Sequence, residues 1–235
     1  MSNIVKVSIV VPTLNETALI QPFLRHLRQQ ASEAEIIVAD GGSSDGTPGL
    51  ARGLCDRVVH AKAGRAAQMN EGAREARGEI LWFLHVDATV PMQSLNEIEE
   101  IMSDPAVAGG FFRIRLPRPQ PVYRLTDGFA HYAGLLLRMR CGDHGIFCRR
   151  TVFTELGGFP EVPLMEDVEF FRRLRRRGAV KYSPKRIVVS PRRYEAIGRA
   201  RLTFAYGLIA TLYLFGAPLP LLGRIYRRTC CHARV

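Results

Sequence analysis

The stretch Glu79-Ile80-Leu81-Trp82-Phe83-Leu84-His85-Val86-Asp87 begins as an apolar run of strand length and closes on a histidine and a carboxylate. Such a run reads as a buried strand of an α/β sheet, and ligands of these sheets bind beyond the C-terminal ends of the strands. A carboxylate there suits a divalent cation carrying a diphosphate, because hard cations take oxygen ligands and keep phosphates and waters as the others. Asp is also a favoured N-cap for a following helix, so Asp87 alone leaves both readings open.

Two further segments have the same form. Val7-Ser8-Ile9-Val10-Val11-Pro12-Thr13-Leu14-Asn15-Glu16 and Glu35-Ile36-Ile37-Val38-Ala39-Asp40-Gly41-Gly42-Ser43-Ser44-Asp45-Gly46-Thr47 are short β-branched runs that close on polar and glycine residues. Three strand ends are therefore expected to converge on one crevice. Asn15, Glu16 and Asp40 are candidates to bond a base and ribose, and Gly41, Gly42 and Gly46 allow a tight turn or a close approach to phosphate. For Asp40 the competing reading is a turn-forming Asx residue.

In combination these segments resemble the inverting family 2 glycosyltransferases, which have the GT-A nucleotide-diphospho-sugar transferase fold; the resemblance spans roughly residues 5–195. The opening motif is matched by Val11-Pro12-Thr13-Leu14-Asn15-Glu16, the nucleotide loop by Ala39 to Thr47, and the segment closing over the base by Gly64-Arg65-Ala66-Ala67-Gln68-Met69-Asn70-Glu71-Gly72-Ala73. Pro12, Thr13, Asn15, Glu16, Asp40, Gly41, Gly42, Ser43, Asp45, Arg65, Gln68 and Asn70 are thereby implied in nucleotide-sugar binding. His85-Val86-Asp87 stands where the family usually carries an Asp-x-Asp metal motif, and a small bacterial subgroup shares the His-x-Asp form. The resemblance implies Mn²⁺ or Mg²⁺ at Asp87, with His85 a second ligand or a packing residue. Asp143-His144 to Arg150 and Gly157-Gly158-Phe159-Pro160 are similar to the acceptor half. Leu164-Met165-Glu166-Asp167-Val168 is similar to the Glu-Asp motif, whose Asp is the catalytic base.

The chemistry agrees with that assignment. Displacing a nucleoside diphosphate from a sugar carbon needs the departing charge neutralised on one side and the acceptor hydroxyl deprotonated on the other. Retention would ask for a second carboxylate poised as nucleophile, by analogy with glycosidases. Glu166 and Asp167 are the one candidate pair, and neighbours at a helix start point in different directions, so inversion is expected. Acids in a first helical turn also simply favour the positive dipole end. Arg65 suits base stacking or phosphate contact, or is a solvated arginine at a helix start. Arg192, Arg193 and Tyr194 either brace the diphosphate or form a basic surface loop. His144 is an acceptor-side candidate or a satisfied structural histidine.

At 235 residues and 47% hydrophobic, the chain can bury one sizeable core. Five cysteines without a Cys-x-x-Cys spacing argue for neither a disulfide framework nor a zinc site. With no secretory leader read at the N-terminus, a cytoplasmic location is expected. Residues 1–110 hold 9 Lys and Arg against 14 Asp and Glu, whereas residues 111–235 hold 24 against 8. A basic half without a recognition motif, beside an acidic half, argues against nucleic acid. Leu202 to Gly223 carries no charge and is flanked by arginines, and Gly216-Ala217-Pro218-Leu219-Pro220 breaks it, so neither piece spans a bilayer alone. Helix, break and second helix read as an anchor lying on the anionic inner face of the membrane, as a lid on the acceptor groove, or as core or homo-oligomer packing.

The expected organisation is a domain over residues 1–197, with a nucleotide-binding half (1–110) and an acceptor half (111–197), followed by a helical segment at 198–235. Strands near 5–11, 35–40, 57–60 and 80–85 alternate with helices near 17–31, 46–54, 65–77 and 92–103, which gives an α/β fold whose mixed sheet has a parallel first half and helices on both faces. A strand at Phe111 to Arg115, a turn at Pro117 to Pro121 and a helix at Tyr123 to Leu137 follow. The expected activity is metal-assisted transfer from a nucleotide-diphospho-sugar to a lipid-linked or otherwise apolar acceptor. A nucleotidyltransferase of the same fold would want a basic, Gly-rich loop after the first strand, which Pro12-Thr13-Leu14-Asn15-Glu16 is not, and a dehydrogenase would want Gly-x-Gly-x-x-Gly there. A non-catalytic nucleotide-sugar-binding relative would have lost both Asp87 and Asp167.

Overall fold

The computed structural model describes residues 6–115 and 142–230. The turn and helix expected at 117–121 and 123–137, and Cys141 and Cys231, lie outside them. Among the described residues, eight strands form one sheet in the order β3-β2-β1-β4-β7-β6-β8-β5. β1 (Val7–Thr13), β2 (Glu35–Asp40), β3 (Arg57–His60) and β4 (Ile80–Phe83) are mutually parallel, and their registers set Thr13 opposite Asp40 and Val10 opposite Phe83. The ends of β1, β2 and β4 therefore lie side by side, as the three polar closures require.

Alternation along these strands builds two cores, one on each face. Ile9, Val11, Ile36, Val38 and Trp82 face α1 (Thr17–Gln30) and α4 (Ser94–Met102) through Ile20, Leu24, Leu27, Ile98 and Met102. Val10, Ile37, Leu81 and Phe83 face the other way, onto α3 (Arg65–Arg74), α5 (Arg150–Glu155) and α6 (Glu166–Arg177). The short α2 (Thr47–Ala51) follows the nucleotide loop. Gly72 lets α3 approach β1, since a Cβ there would stand 2.4 Å from Val10 Cγ1. That close approach sets Arg65 and Gln68 over the strand ends.

The second half of the sheet is mixed. β7 (Phe147–Arg149) runs antiparallel to β4 and to β6 (Val107–Arg115), β6 pairs in parallel with β8 (Ala179–Val189), and β5 (Ala88–Thr89) pairs antiparallel with β8. The sequence marks only the end of β8, at Ile187 to Ser190, because Pro184 interrupts the pattern. Phe112 pairs with Ser183 and Arg113 with Arg186, so Pro184 sits in a bulge, where a missing N–H costs no ladder bond.

Beyond β8 come α7 (Arg192–Ile197), α8 (Arg199–Leu214) and α9 (Leu219–Cys230), the last two separated at Gly216 to Pro218. Ile209, Tyr213 and Leu222 of this hairpin pack on Leu164, Met165 and Val168 at the start of α6. Its outer face carries Phe204, 72% exposed, and Phe215, 86% exposed. No helix among the described residues is long and apolar enough to cross a membrane.

Candidate active site

A cleft of about 400 Å³ opens beyond the ends of β1 and β4. It is lined by Pro12, Leu14 and Glu16 from the first strand end, His85 and Asp87 from the fourth, and Gly64, Arg65 and Gln68 from α3. Asp143, on the 3-10 turn Gly142–His144, closes one side, and Arg192, Arg193, Tyr194 and Tyr206 close another. Eight of the expected site residues are thus brought together: Pro12, Glu16, Arg65, Gln68, His85, Asp87, Asp143 and Arg193. Gln68 is fixed beneath the cleft by donating to the carbonyls of Thr13 and Ala39.

The remaining expected residues stand in the shell around it. Asp40 is fully buried and accepts bonds from the Gly42 and Ser43 amides, at 3.0 and 2.9 Å, and from the Ser43 hydroxyl. It therefore ties down the turn through Gly41, Gly42 and Ser43 while holding its place at the strand end beside Thr13. Asn15, with φ of 55°, accepts from the Ser44 amide, and its own amide donates to Ser43 Oγ. Asp45 accepts from the amides of Thr17 and Thr47 and from the Thr47 hydroxyl, and these bonds hold its carboxyl far below the usual range. Asn70 makes a reciprocal pair with the backbone of Phe159, binding α3 to the loop before α6. His144 is buried, with Nδ1 on the carbonyl of Phe112. These side chains shape the walls and do not line the cleft.

Three arginines govern the electrostatics. Arg192 forms a bidentate pair with Glu16, both contacts at 2.8 Å, and its Nε lies 3.3 Å from Asp87 Oδ2. It sits on the first turn of α7, not on a surface loop. Arg65 Nε lies 2.8 Å from Glu166 Oε1, which joins the cleft to the acidic pair at the start of α6. Glu166 and Asp167 are buried at 4% and 5% exposure, in the first turn of α6 where the helix dipole favours anions. The preceding Met165 has φ of 69°, a left-handed conformation that sidechain-bearing residues rarely adopt. Packing against Ile209, Tyr213 and Leu222 holds it there and fixes how the pair enters the helix.

Between these groups, His85 Nε2 lies 3.8 Å from Asp143 Oδ1. Burial holds the imidazole below its ordinary pKa, which favours the neutral form that keeps a lone pair for a ligand. Burial penalises the Asp143 carboxylate, but the neighbouring imidazole of His85 and the guanidinium charges of Arg65 and Arg193 outweigh this and hold its carboxyl low. Among the described residues, no three His, Cys, Asp or Glu side chains converge enough to enclose an ion. A cation at Asp87 would therefore share its ligands with phosphates, the usual arrangement for small hard cations.

Sequence reasoning did not single out Tyr206, because it lies in the charge-free run read for its hydropathy. The available signal was its place one helical turn after Leu202, on the face α8 turns inward. The Arg192 clasp, 176 residues from Glu16 in sequence, had no local signal at all.

The comparisons agree with this architecture. The glycosyltransferase AglE of Haloferax volcanii is 27% identical over 169 residues, which cover 66% of this chain and 56% of that protein. An uncharacterised protein of Mycobacterium tuberculosis is 27% identical over 219 residues, covering 81% of this chain and 67% of its own. Among solved structures, the mannosyltransferase PcManGT from Pyrobaculum calidifontis, in complex with GDP-Man and Mn²⁺, superposes with a TM-score of 0.67 at 23% identity, over 94% of this chain and 69% of that one. The sequence profile described as glycosyl transferase family 2 matches residues 8–156, which hold all four parallel strands and the ends that line the cleft. That match covers more than half of the sequence, and on it the chain belongs to glycosyl transferase family 2.

Proposed function

We propose that the cleft binds a nucleotide-diphospho-sugar with a divalent cation and transfers the sugar, with inversion, to an acceptor hydroxyl approached from α6. The observation that carries this is the convergence of the β1 and β4 ends and α3 on one cleft, with Glu166 linked to it through Arg65 and Asp167 beside Glu166 at the start of α6. Asp87, with His85 beside it, is the reading for the metal position. A fold neighbour solved with GDP-Man and Mn²⁺ supports a divalent cation accompanying the nucleotide-sugar. When bound, the cation supplies positive charge to the departing diphosphate. Asp167 takes the acceptor proton as the acceptor oxygen bonds to the sugar carbon and the carbon–diphosphate bond breaks on the opposite face. Glu166, engaged by Arg65, positions that group instead of accepting the proton.

Thermal denaturation with UDP, GDP and dTDP, each with and without Mn²⁺, tests the donor reading. A nucleotide at about 100 times its Kd stabilises by about 2.7 kcal/mol, and a chain of this size gains about 2–4 °C per kcal/mol. One nucleotide is expected to raise Tm by about 5–10 °C in a Mn²⁺-dependent way. No shift with any of the three would overturn it.

The acceptor is read as lipid-linked or apolar, presented at an anionic membrane surface. Phe204, Leu208 and Phe215 are exposed along one face of α8 and its end, with Leu221 of α9, and Arg201, Arg224 and Arg228 are exposed on the same hairpin. An apolar face rimmed by arginines suits the headgroup region. Each arginine near such a surface contributes about 1 kcal/mol, a share that salt screens while the apolar share persists. The protein is expected to float with anionic liposomes, less so at high salt. A protein that remains unbound at both salt concentrations removes the case for a lipid-presented acceptor.

A further inference from the structure

Arg193 differs from its neighbours in what surrounds it. Arg65 is neutralised by Glu166, and Arg192 by Glu16 and Asp87. Arg193 lines the same cleft, but its Nη1 donates to the phenol of Tyr226 at 3.2 Å, and the phenol of Tyr206 lies near enough to feel its charge. No carboxylate lies within ion-pair distance of it among the described residues; Asp143 acts on it from farther off, and Arg65 opposes it as a like charge. Burial pushes the Tyr206 phenol up, so that phenol is neutral throughout the physiological range.

A guanidinium set among phenols, with no carboxylate of the described residues at ion-pair distance, keeps its full charge for something else. Tyr206 lines the cleft as well, and its O–H adds a second donor beside Arg193. Tyr206 and Tyr226 stand on α8 and α9, where they pack beside Leu202, Ala205 and Cys230. The hairpin that reads in sequence as an appendage thus supplies part of the wall.

We propose that Tyr206 and Tyr226 are positioning residues that hold Arg193 toward the cleft as the receptor for a phosphate of a nucleoside diphosphate, so that the C-terminal hairpin is part of the donor site. This rests on the donor reading above, and the test separates the two. Its control is Tyr213, which lies on the same hairpin but faces α6, bonded to Arg172 and Glu169.

Affinities for UDP, GDP and dTDP, and for the corresponding nucleosides, are measured by calorimetry with Mn²⁺ for wild type, the Tyr206→Phe/Tyr226→Phe double variant, Arg193→Gln and Tyr213→Phe. Hydrogen bonds to charged groups correspond to factors of about 10 to 100. Arg193→Gln is expected to weaken the bound nucleoside diphosphate by about that factor, and the double variant by about 5- to 10-fold. Nucleoside affinity is expected to be unchanged, and Tyr213→Phe to bind as wild type. Should the double variant not fold, Tyr206→Phe alone is read in the same way. Equal diphosphate affinity in wild type, the tyrosine variant and Arg193→Gln overturns the inference while leaving the donor reading intact. A wild type that binds none of the three diphosphates overturns both.

Discussion

Asp167→Asn is expected to lower sugar transfer by about 10²- to 10⁴-fold while nucleotide affinity stays at the wild-type value. The amide keeps the shape of the carboxylate but cannot accept the acceptor proton, so the loss falls on turnover. Donor binding survives because Asp167 lies in the first turn of α6, outside the lining of the cleft. Glu166→Gln, which removes the charge opposite Arg65 and leaves the proton acceptor in place, is expected to cost less. Single-turnover assays with calorimetry on the same preparations check both halves. Near-normal turnover in Asp167→Asn on an identified acceptor would move the base elsewhere, with Glu166 and then Asp143 the groups to test.

Asp87→Asn is expected to abolish the Mn²⁺-dependent part of nucleotide binding with little change in fold, because the substitution is nearly isosteric and the side chain stands in the cleft. His85→Ala is expected to be milder, since an imidazole, unlike a carboxylate, brings no negative charge to a cation. Mn²⁺ titrations read by electron paramagnetic resonance, with and without nucleotide, report the ion directly. Equal metal-dependent affinity in wild type and Asp87→Asn would remove Asp87 from the metal position.

What the sequence revealed follows from how each element encodes itself. β1, β2 and β4 announce themselves because both faces are buried, so each is a continuous apolar run whose polar closure marks its end. β7 is three residues long and β5 two, too short for any period, and β8 hides behind Pro184 and a largely exposed pattern. The cleft shows the same division. Pro12, Glu16, His85 and Asp87 were legible because topology alone gathers strand ends. Asp45, Asn70 and His144 sit in the same motifs, yet their bonds go to neighbouring backbone, and a motif does not say which of its polar groups face inward. Arg192 and Tyr206 depend on the path of the chain after β8, which pattern does not fix.

The Arg192 clasp bears on the order of events. Because Asp87 already faces a guanidinium that is shared with Glu16, an ion arriving there exchanges one cationic partner for another. Its observed affinity is then a difference between two attractions, and small when it comes alone. An ion arriving with a diphosphate also brings the anion that a displaced guanidinium needs. If Asp87 holds the ion as proposed, filling the site in two separate steps would gain little at the first, whereas filling it with the preformed ion–nucleotide complex would be close to an even trade of charges.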